Sequence, residues 1–222
     1  MSAARESLLD AAFAALARRP WARIRMTDVA ASAGVSRQTL YNEFGGKDGL
    51  ARALVRREAE AYLSGVERAL AGVPGAAGPG ERLAAAAVWT VRAGTENPLV
   101  RAVLTGCWNE RLPSPARPAP LGGPPRSRRS AAVDPLPSPV DLLGQARDRA
   151  VRLLAAEWPP GGPVELARAC DTAARLALSY VIAPAPAVEV ASAVRGALGT
   201  RDGQALTGPS APSRRAGGPP RR

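Results

Sequence analysis

The 222-residue chain contains no histidine. That absence excludes histidine-dependent catalytic triads and His-ligated zinc sites. Lysine is almost missing too: of 30 basic residues, 29 are arginine and the other is Lys47. Lysine-dependent catalysis would rest on that one side chain, and no phosphate-cradling glycine loop precedes a helix. There are two cysteines, Cys107 and Cys170, too few for a disulfide framework. With no secretory signal read in the sequence, the expectation is a reducing compartment and two free thiols, buried by default. No apolar run approaches the roughly 20 residues that cross a bilayer. The first hydrophobic stretch, Leu8 to Leu16, is broken by Asp10 and several alanines. The expectation is a cytoplasmic protein with no membrane partner. Strand alternation and fixed-period repeats are also missing, which leaves an all-α chain and excludes a solenoid.

Charge is present in excess but unevenly. The formal net charge of +11 divides into +3 over residues 1–71, +4 over 111–139 and +4 over 199–222, while 72–110 and 140–198 are balanced. Most of the basicity therefore falls in a predicted loop and tail, and the bulk charge is not itself a DNA-binding patch. The arginine-for-lysine bias, with abundant Ala, Gly and Pro, fits GC-rich coding. Arg126, Arg128 and Arg129 in the loop, and Arg214, Arg215, Arg221 and Arg222 in the tail, offer counterion-release affinity for DNA, with solvated segments as the plainer reading.

The apolar periodicity sets out the helices. Leu8, Leu9, Ala12, Phe13 and Leu16 recur at helical spacing until Pro20, predicting a first helix over 4–18. Thr27 is a good N-cap for a second helix through Ala33, with Val29, Ala30 and Ala33 inward, and Gly34 permits a sharp turn. Ser36 caps a third helix over 37–43, with Leu40 and Phe44 directed to the core, and Gly45-Gly46 ends it. A long fourth helix from Lys47 to Leu70 carries Leu50, Leu54, Tyr62, Leu63, Val66 and Leu70 and links two domains. After the Gly/Pro stretch 72–80, helices are predicted at 81–95, 98–109, 140–158, 163–183 and 186–198. Nine prolines between 113 and 139 exclude a helix over 112–139, and 200–222 reads as a disordered tail.

The third helix keeps a polar outer face made of Arg37, Gln38, Thr39, Tyr41 and Asn42. Such a helix fits the major groove, where Gln38 and Asn42 reach base edges, Arg37 reaches guanine or phosphate, and Thr39 and Tyr41 offer hydroxyls to phosphates. The run from Thr27 to Lys47, TDVAASAGVSRQTLYNEFGGK, resembles the signature of the TetR family of bacterial transcriptional regulators, a likeness covering roughly residues 5–54. The resemblance implies a three-helix DNA-binding head (1–47) with a helix-turn-helix and a helical ligand-binding and dimerisation bundle (48–199). It places Thr27 at the start of the supporting helix, Ser36 to Asn42 on the recognition helix, and Tyr41 and Lys47 at phosphate-contacting positions. Lys47 also opens the next helix, whose amides add an anion site. Asn42-Glu43 departs from the family pattern, which often has histidine or another basic residue there; Glu43 is expected to point away from DNA.

The bundle is less specific. Trp89, Leu104, Cys107, Trp108, Cys170 and Tyr180 fall on predicted bundle helices and are candidates to line an effector pocket, each of them more often a core residue than a ligand contact. Few aromatics and a balanced charge favour an uncharged or lipophilic effector, and no cofactor is expected. The function implied is a ligand-responsive regulator, a repressor, that binds a palindromic double-stranded operator as a homodimer and is released by a small molecule. The alternatives are an architectural DNA-binding protein without effector and an all-α enzyme.

Overall fold

A computed structural model describes residues 2–73, 77–113, 136–158 and 162–199. Most of the predicted 112–139 loop and the predicted tail, with their arginine clusters, lie outside the described residues. The described residues form nine α-helices and one 3₁₀ turn, with no strand among them. None of these helices is long and apolar enough to cross a membrane.

The amino-terminal part contains α1 (Ala3–Arg18), the 3₁₀ turn Trp21–Arg23, α2 (Met26–Ser32) and α3 (Arg37–Phe44). Next comes α4 (Lys47–Ala71), whose 25 residues reach ~37 Å at the helical rise. The remaining helices are α5 (Pro79–Glu96), α6 (Pro98–Thr105), α7 (Pro139–Leu154), α8 (Pro163–Ile182) and α9 (Ala187–Gly199). Four of them, α5 to α8, begin on proline, whose missing N–H would have no intrahelical partner at that position.

Large side chains pack the head. Leu8, Leu9 and Leu16 of α1 meet Trp21, Ile24, Val29, Leu40 and Phe44, and Leu50 and Leu54 at the start of α4 close the cluster. Each fully buried leucine contributes about 1.5–3 kcal/mol of apolar transfer free energy. The body is packed differently. Here α5 lies at the centre, against α4, α8 and α9, and much of what it buries is alanine: Ala84, Ala86, Ala87 and Ala93, facing Ala169, Ala173 and Ala177 of α8 and Ala146 and Ala150 of α7. Two glycines admit larger neighbours. A Cβ on Gly65 would fall 2.1 Å from Cζ2 of Trp89, and one on Gly94 would fall 2.8 Å from Cγ1 of Val181.

Ionic contacts tie the two parts together through α4. Arg57 donates to Asp10 of α1 at 2.7 Å and to the neighbouring Glu58 at 2.8 Å. Glu58 is buried, and its second oxygen accepts from Asn97, the residue whose side chain caps α6. Removing one partner from a buried set of this kind is costly, because the remaining charge has neither water nor a counterion. At the other end of α4, buried Arg82 donates to the Leu70 carbonyl at 2.7 Å and pairs with Glu157.

The sequence-based expectations need correction at several points, among them the helix predicted over 140–158, which ends at Leu154. First, α2 begins at Met26 with Arg25 as N-cap, because the Arg25 carbonyl already accepts from Asp28 and Val29. Thr27 therefore lies in the first turn, and its hydroxyl donates to Asp28 instead of capping. Second, the helix predicted over 98–109 ends at Thr105, because Gly106 adopts a left-handed φ of 71° and its N–H closes on Ala102. Cys107 and Trp108 follow the helix and do not lie on it. Third, the Cys107 thiol is exposed, whereas Cys170 is buried as expected. The 3₁₀ turn at Trp21–Arg23 was not anticipated.

Candidate nucleic-acid interface

The turn between α2 and α3 rests on backbone requirements. Gly34 sits at φ +68°, and the Val35 N–H then returns to the Ala30 carbonyl at 3.0 Å. Ser36 starts α3 as predicted: its hydroxyl accepts from Thr39 N–H at 3.0 Å and lies 2.9 Å from the Thr39 hydroxyl. This cap satisfies an amide that has no partner within the helix and holds the Thr39 side chain back along the helix. At the other end Gly45, at φ +68°, bonds to the Tyr41 carbonyl and stops the helix.

With Leu40 and Phe44 buried, the rest of α3 takes its orientation from the helical repeat. At 100° per residue, Gln38 and Asn42 fall about 160° from the buried pair, directly away from the core. Both are exposed, and the Gln38 side-chain amide donates to Asn42 Oδ1 at 2.8 Å. Arg37 and Tyr41 flank this row on one side and are exposed as well. Glu43 flanks it on the other side, turned to α1: it accepts from the Ser2 hydroxyl at 3.1 Å and from Arg5 at 3.4 Å. The Arg5 guanidinium also stacks over the Phe44 ring at 4.6 Å. Arg5 carried no signal in the sequence reading, because nothing in the helical periodicity of α1 marks a contact with α3.

Lys47 lies at the mouth of the head. Its Nζ donates to the Ala22 carbonyl at 3.1 Å and sits 5.6 Å from the Trp21 ring. Partial burial lowers its pKa, and the neighbouring Asp48 opposes the shift. No side chain caps the first turn of α4. The same 3₁₀ turn reaches the body: the Trp21 N–H donates to the Arg111 carbonyl at 2.8 Å.

The residues singled out for the body do not gather in one place. Leu104 is fully buried core. Trp89 is wedged against α4, its indole N–H donating to the Tyr62 carbonyl at 3.2 Å under the Arg68 guanidinium. Cys107 and Trp108 lie beyond α6, and Tyr180 packs at the core's edge. Only Cys170 lines the small cavity of about 30 Å³ between α4, α5, α7 and α8. Its other walls include Tyr62, Thr90 and the alanines of three helices. The Tyr62 and Thr90 hydroxyls lie 3.2 Å apart in it. Burial pushes the Tyr62 phenol up to about 12, against the smaller opposing effect of its hydrogen bond with Thr90. Burial also raises the Cys170 thiol to about 12, partly offset by Arg147. A larger open cleft of about 690 Å³ lies between α4 and the start of α7, beside Arg56, Glu60, Leu63 and Val140.

A capped helix-turn-helix head, with its polar face turned outward, continuing through one long helix into an all-α body, defines a helix-turn-helix protein of the two-part helical class. Residues 8–54 match the family described as "Bacterial regulatory proteins, tetR family". That match covers the head and the start of α4. It is 46% identical over 66 residues to the HTH-type transcriptional regulator AlkX of Mycobacterium tuberculosis, a match covering 30% of this chain and 31% of that protein. Less than a third of that relative's length is thus spanned. The fold is similar to that of the TetR family repressor AlkX from Dietzia sp. strain DQ12-45-1b, with a TM-score of 0.53 and 21% identity over 88% of this chain and 96% of that one. It is also similar to a tetR-family transcriptional regulator from Streptomyces coelicolor, with a TM-score of 0.52 and 20% identity over 89% and 79% of the two chains.

Proposed function

We propose that the chain is a cytoplasmic transcriptional regulator, a repressor, that binds a palindromic operator as a homodimer and is released by a small-molecule effector. Residues 1–47 are the DNA-binding domain and 48–199 the effector and dimerisation domain. The observation that carries this reading is the outer face of α3: two amides point directly away from the core, flanked by an exposed arginine and tyrosine. That is the donor and acceptor inventory that reads base edges in a major groove. Thr27, Ser36, Arg37, Thr39, Tyr41 and Lys47 serve the backbone or the groove edge, and most contacts of such an interface go to phosphate. Glu43 does not oppose this, because Arg5 and Ser2 engage its carboxylate.

Exposed Val164, Ile182 and Val188 on α8 and α9 supply apolar surface for a two-fold contact between copies. The alanine-lined cavity beside Tyr62, Thr90 and Cys170, at about 30 Å³, is too small for an effector as it stands, and it takes an uncharged, lipophilic one only when the helices around it move apart. Trp89, Leu104, Cys107 and Trp108 join it only if the body rearranges around the ligand. Selection of bound duplexes from random DNA by the full chain tests the reading, together with light scattering at micromolar concentration. The expected result is an enriched palindrome bound by a dimer; a monomer on DNA, or binding with no sequence enrichment, overturns it.

A further inference from the structure

We infer that Gln38 reads an adenine in each operator half-site and that Asn42 is the residue that positions it, so that the two act as one unit. The inference rests on the DNA-binding reading above and adds the identity of a base. It begins from placement. On α3 the row formed by Gln38 and Asn42 is the one furthest from buried Leu40 and Phe44, so it enters a groove most deeply when the helix docks. Arg37 and Tyr41 lie to one side of it, nearer the groove wall.

The chemistry follows from the 2.8 Å bond from Gln38 Nε2 to Asn42 Oδ1. A carboxamide nitrogen carries two hydrogens, and only one of them is used in that bond. Gln38 keeps its carbonyl oxygen and its second N–H. An acceptor and a donor side by side on one planar group match the N6 amino donor and N7 acceptor of adenine in the major groove. They do not match guanine, which presents two acceptors there. Asn42 has its oxygen occupied and contributes orientation: an amide pair at i and i+4 holds a side chain that would otherwise sample several rotamers over an open surface. The neighbouring polar groups do not compete for this amide, since the Thr39 hydroxyl is held by Ser36 and the Glu43 carboxylate by Ser2 and Arg5.

The experiment is selection of bound duplexes from random DNA, carried out with the full-length wild type and with Gln38→Ala, Gln38→Glu, Asn42→Ala and Asn42→Asp. All four changes are at exposed positions, and circular dichroism checks that the helices remain. Wild type is expected to enrich adenine at one position per half-site. Gln38→Ala should lose discrimination there by the order of ten- to a hundredfold. Gln38→Glu should move the preference to cytosine, whose amino group donates to a carboxylate. Asn42→Ala should weaken the preference at that same position, whereas Asn42→Asp, which retains an oxygen to accept from Gln38, should keep adenine while binding all DNA more weakly. The assignment is overturned if Gln38→Ala leaves every base preference intact, if Gln38→Glu does not change the base, or if Asn42→Ala alters only a different position. Absence of any enriched motif in wild type overturns the regulator reading itself, a distinguishable failure.

Discussion

The head and the body are both helical and both bury leucines, but the centre of the body adds a block of facing alanines that the head lacks. The head is filled by leucines and aromatics, and this core turns the polar row of α3 outward. The body is filled at its centre by alanines from three helices, and it encloses a small cavity with a buried hydroxyl pair. Large interlocking side chains define one arrangement and resist change, whereas alanine contacts hold helices together with less shape complementarity between them. The contrast fits the proposed function, with a rigid head to read DNA and a body able to reshape around a ligand.

The sharpest test of the contrast is in the head. Leu40 is fully buried between α3 and the rest of the cluster, so Leu40→Ala should destabilise the head by about 2–5 kcal/mol and abolish DNA binding near its unfolding midpoint. Chemical denaturation followed by circular dichroism measures this. A loss below about 1 kcal/mol would show that the head core is as yielding as the body.

The next effect belongs to the body and depends on pH. In the folded protein the Tyr62 phenol stays neutral up to about 12, compared with its ordinary value of 10.0. The Cys170 thiol likewise stays neutral up to about 12, compared with 9.0. A raised folded-state pKa means that the unfolded chain releases these protons first. Stability is therefore full below pH 9 and falls as pH rises through 12. Tyr62→Phe should make the decline between pH 10 and pH 12 shallower by up to about 1.4 kcal/mol per unit. Unfolding midpoints across alkaline buffers give the slope, and an unchanged slope in the variant would contradict the burial argument.

The smallest effect is at Gly65. Alanine normally stabilises a helix interior by up to about 1 kcal/mol relative to glycine, but here the added Cβ meets the Trp89 ring at 2.1 Å. That ring is pinned by its bond to the Tyr62 carbonyl, so Gly65→Ala should destabilise by about 1–3 kcal/mol overall. Thermal unfolding of the variant, and of Gly65→Ala combined with Trp89→Leu to relieve the clash, reads the two contributions separately.

Legibility from sequence follows the same division. Pro20, Gly34, Ser36 and the Gly45-Gly46 pair each have one conformational meaning, so the boundaries of α1 and α3 and the sharp turn between α2 and α3 were readable to within a residue or so. Thr27 misled because a good capping side chain stood one residue inside a helix whose first carbonyl belongs to Arg25. The end of α6 was misplaced because Trp108 prolonged the apolar pattern past Gly106, which does end the helix. The cavity could not be read, since alanine serves equally as spacer and as core and no periodicity distinguishes the two. Nor could the contacts of Arg5 with Glu43 and Phe44, which join residues nearly forty positions apart.

The hydrogen bond from Trp21 to the Arg111 carbonyl joins positions ninety residues apart. The Trp21 amide meets this acceptor only when the segment after α6 is in place beside the head. Its exchange with solvent in the finished protein consequently follows the opening of the body, although it belongs to the head. It makes Trp21 a clock for events on the far side of the linking helix, readable at a single backbone proton.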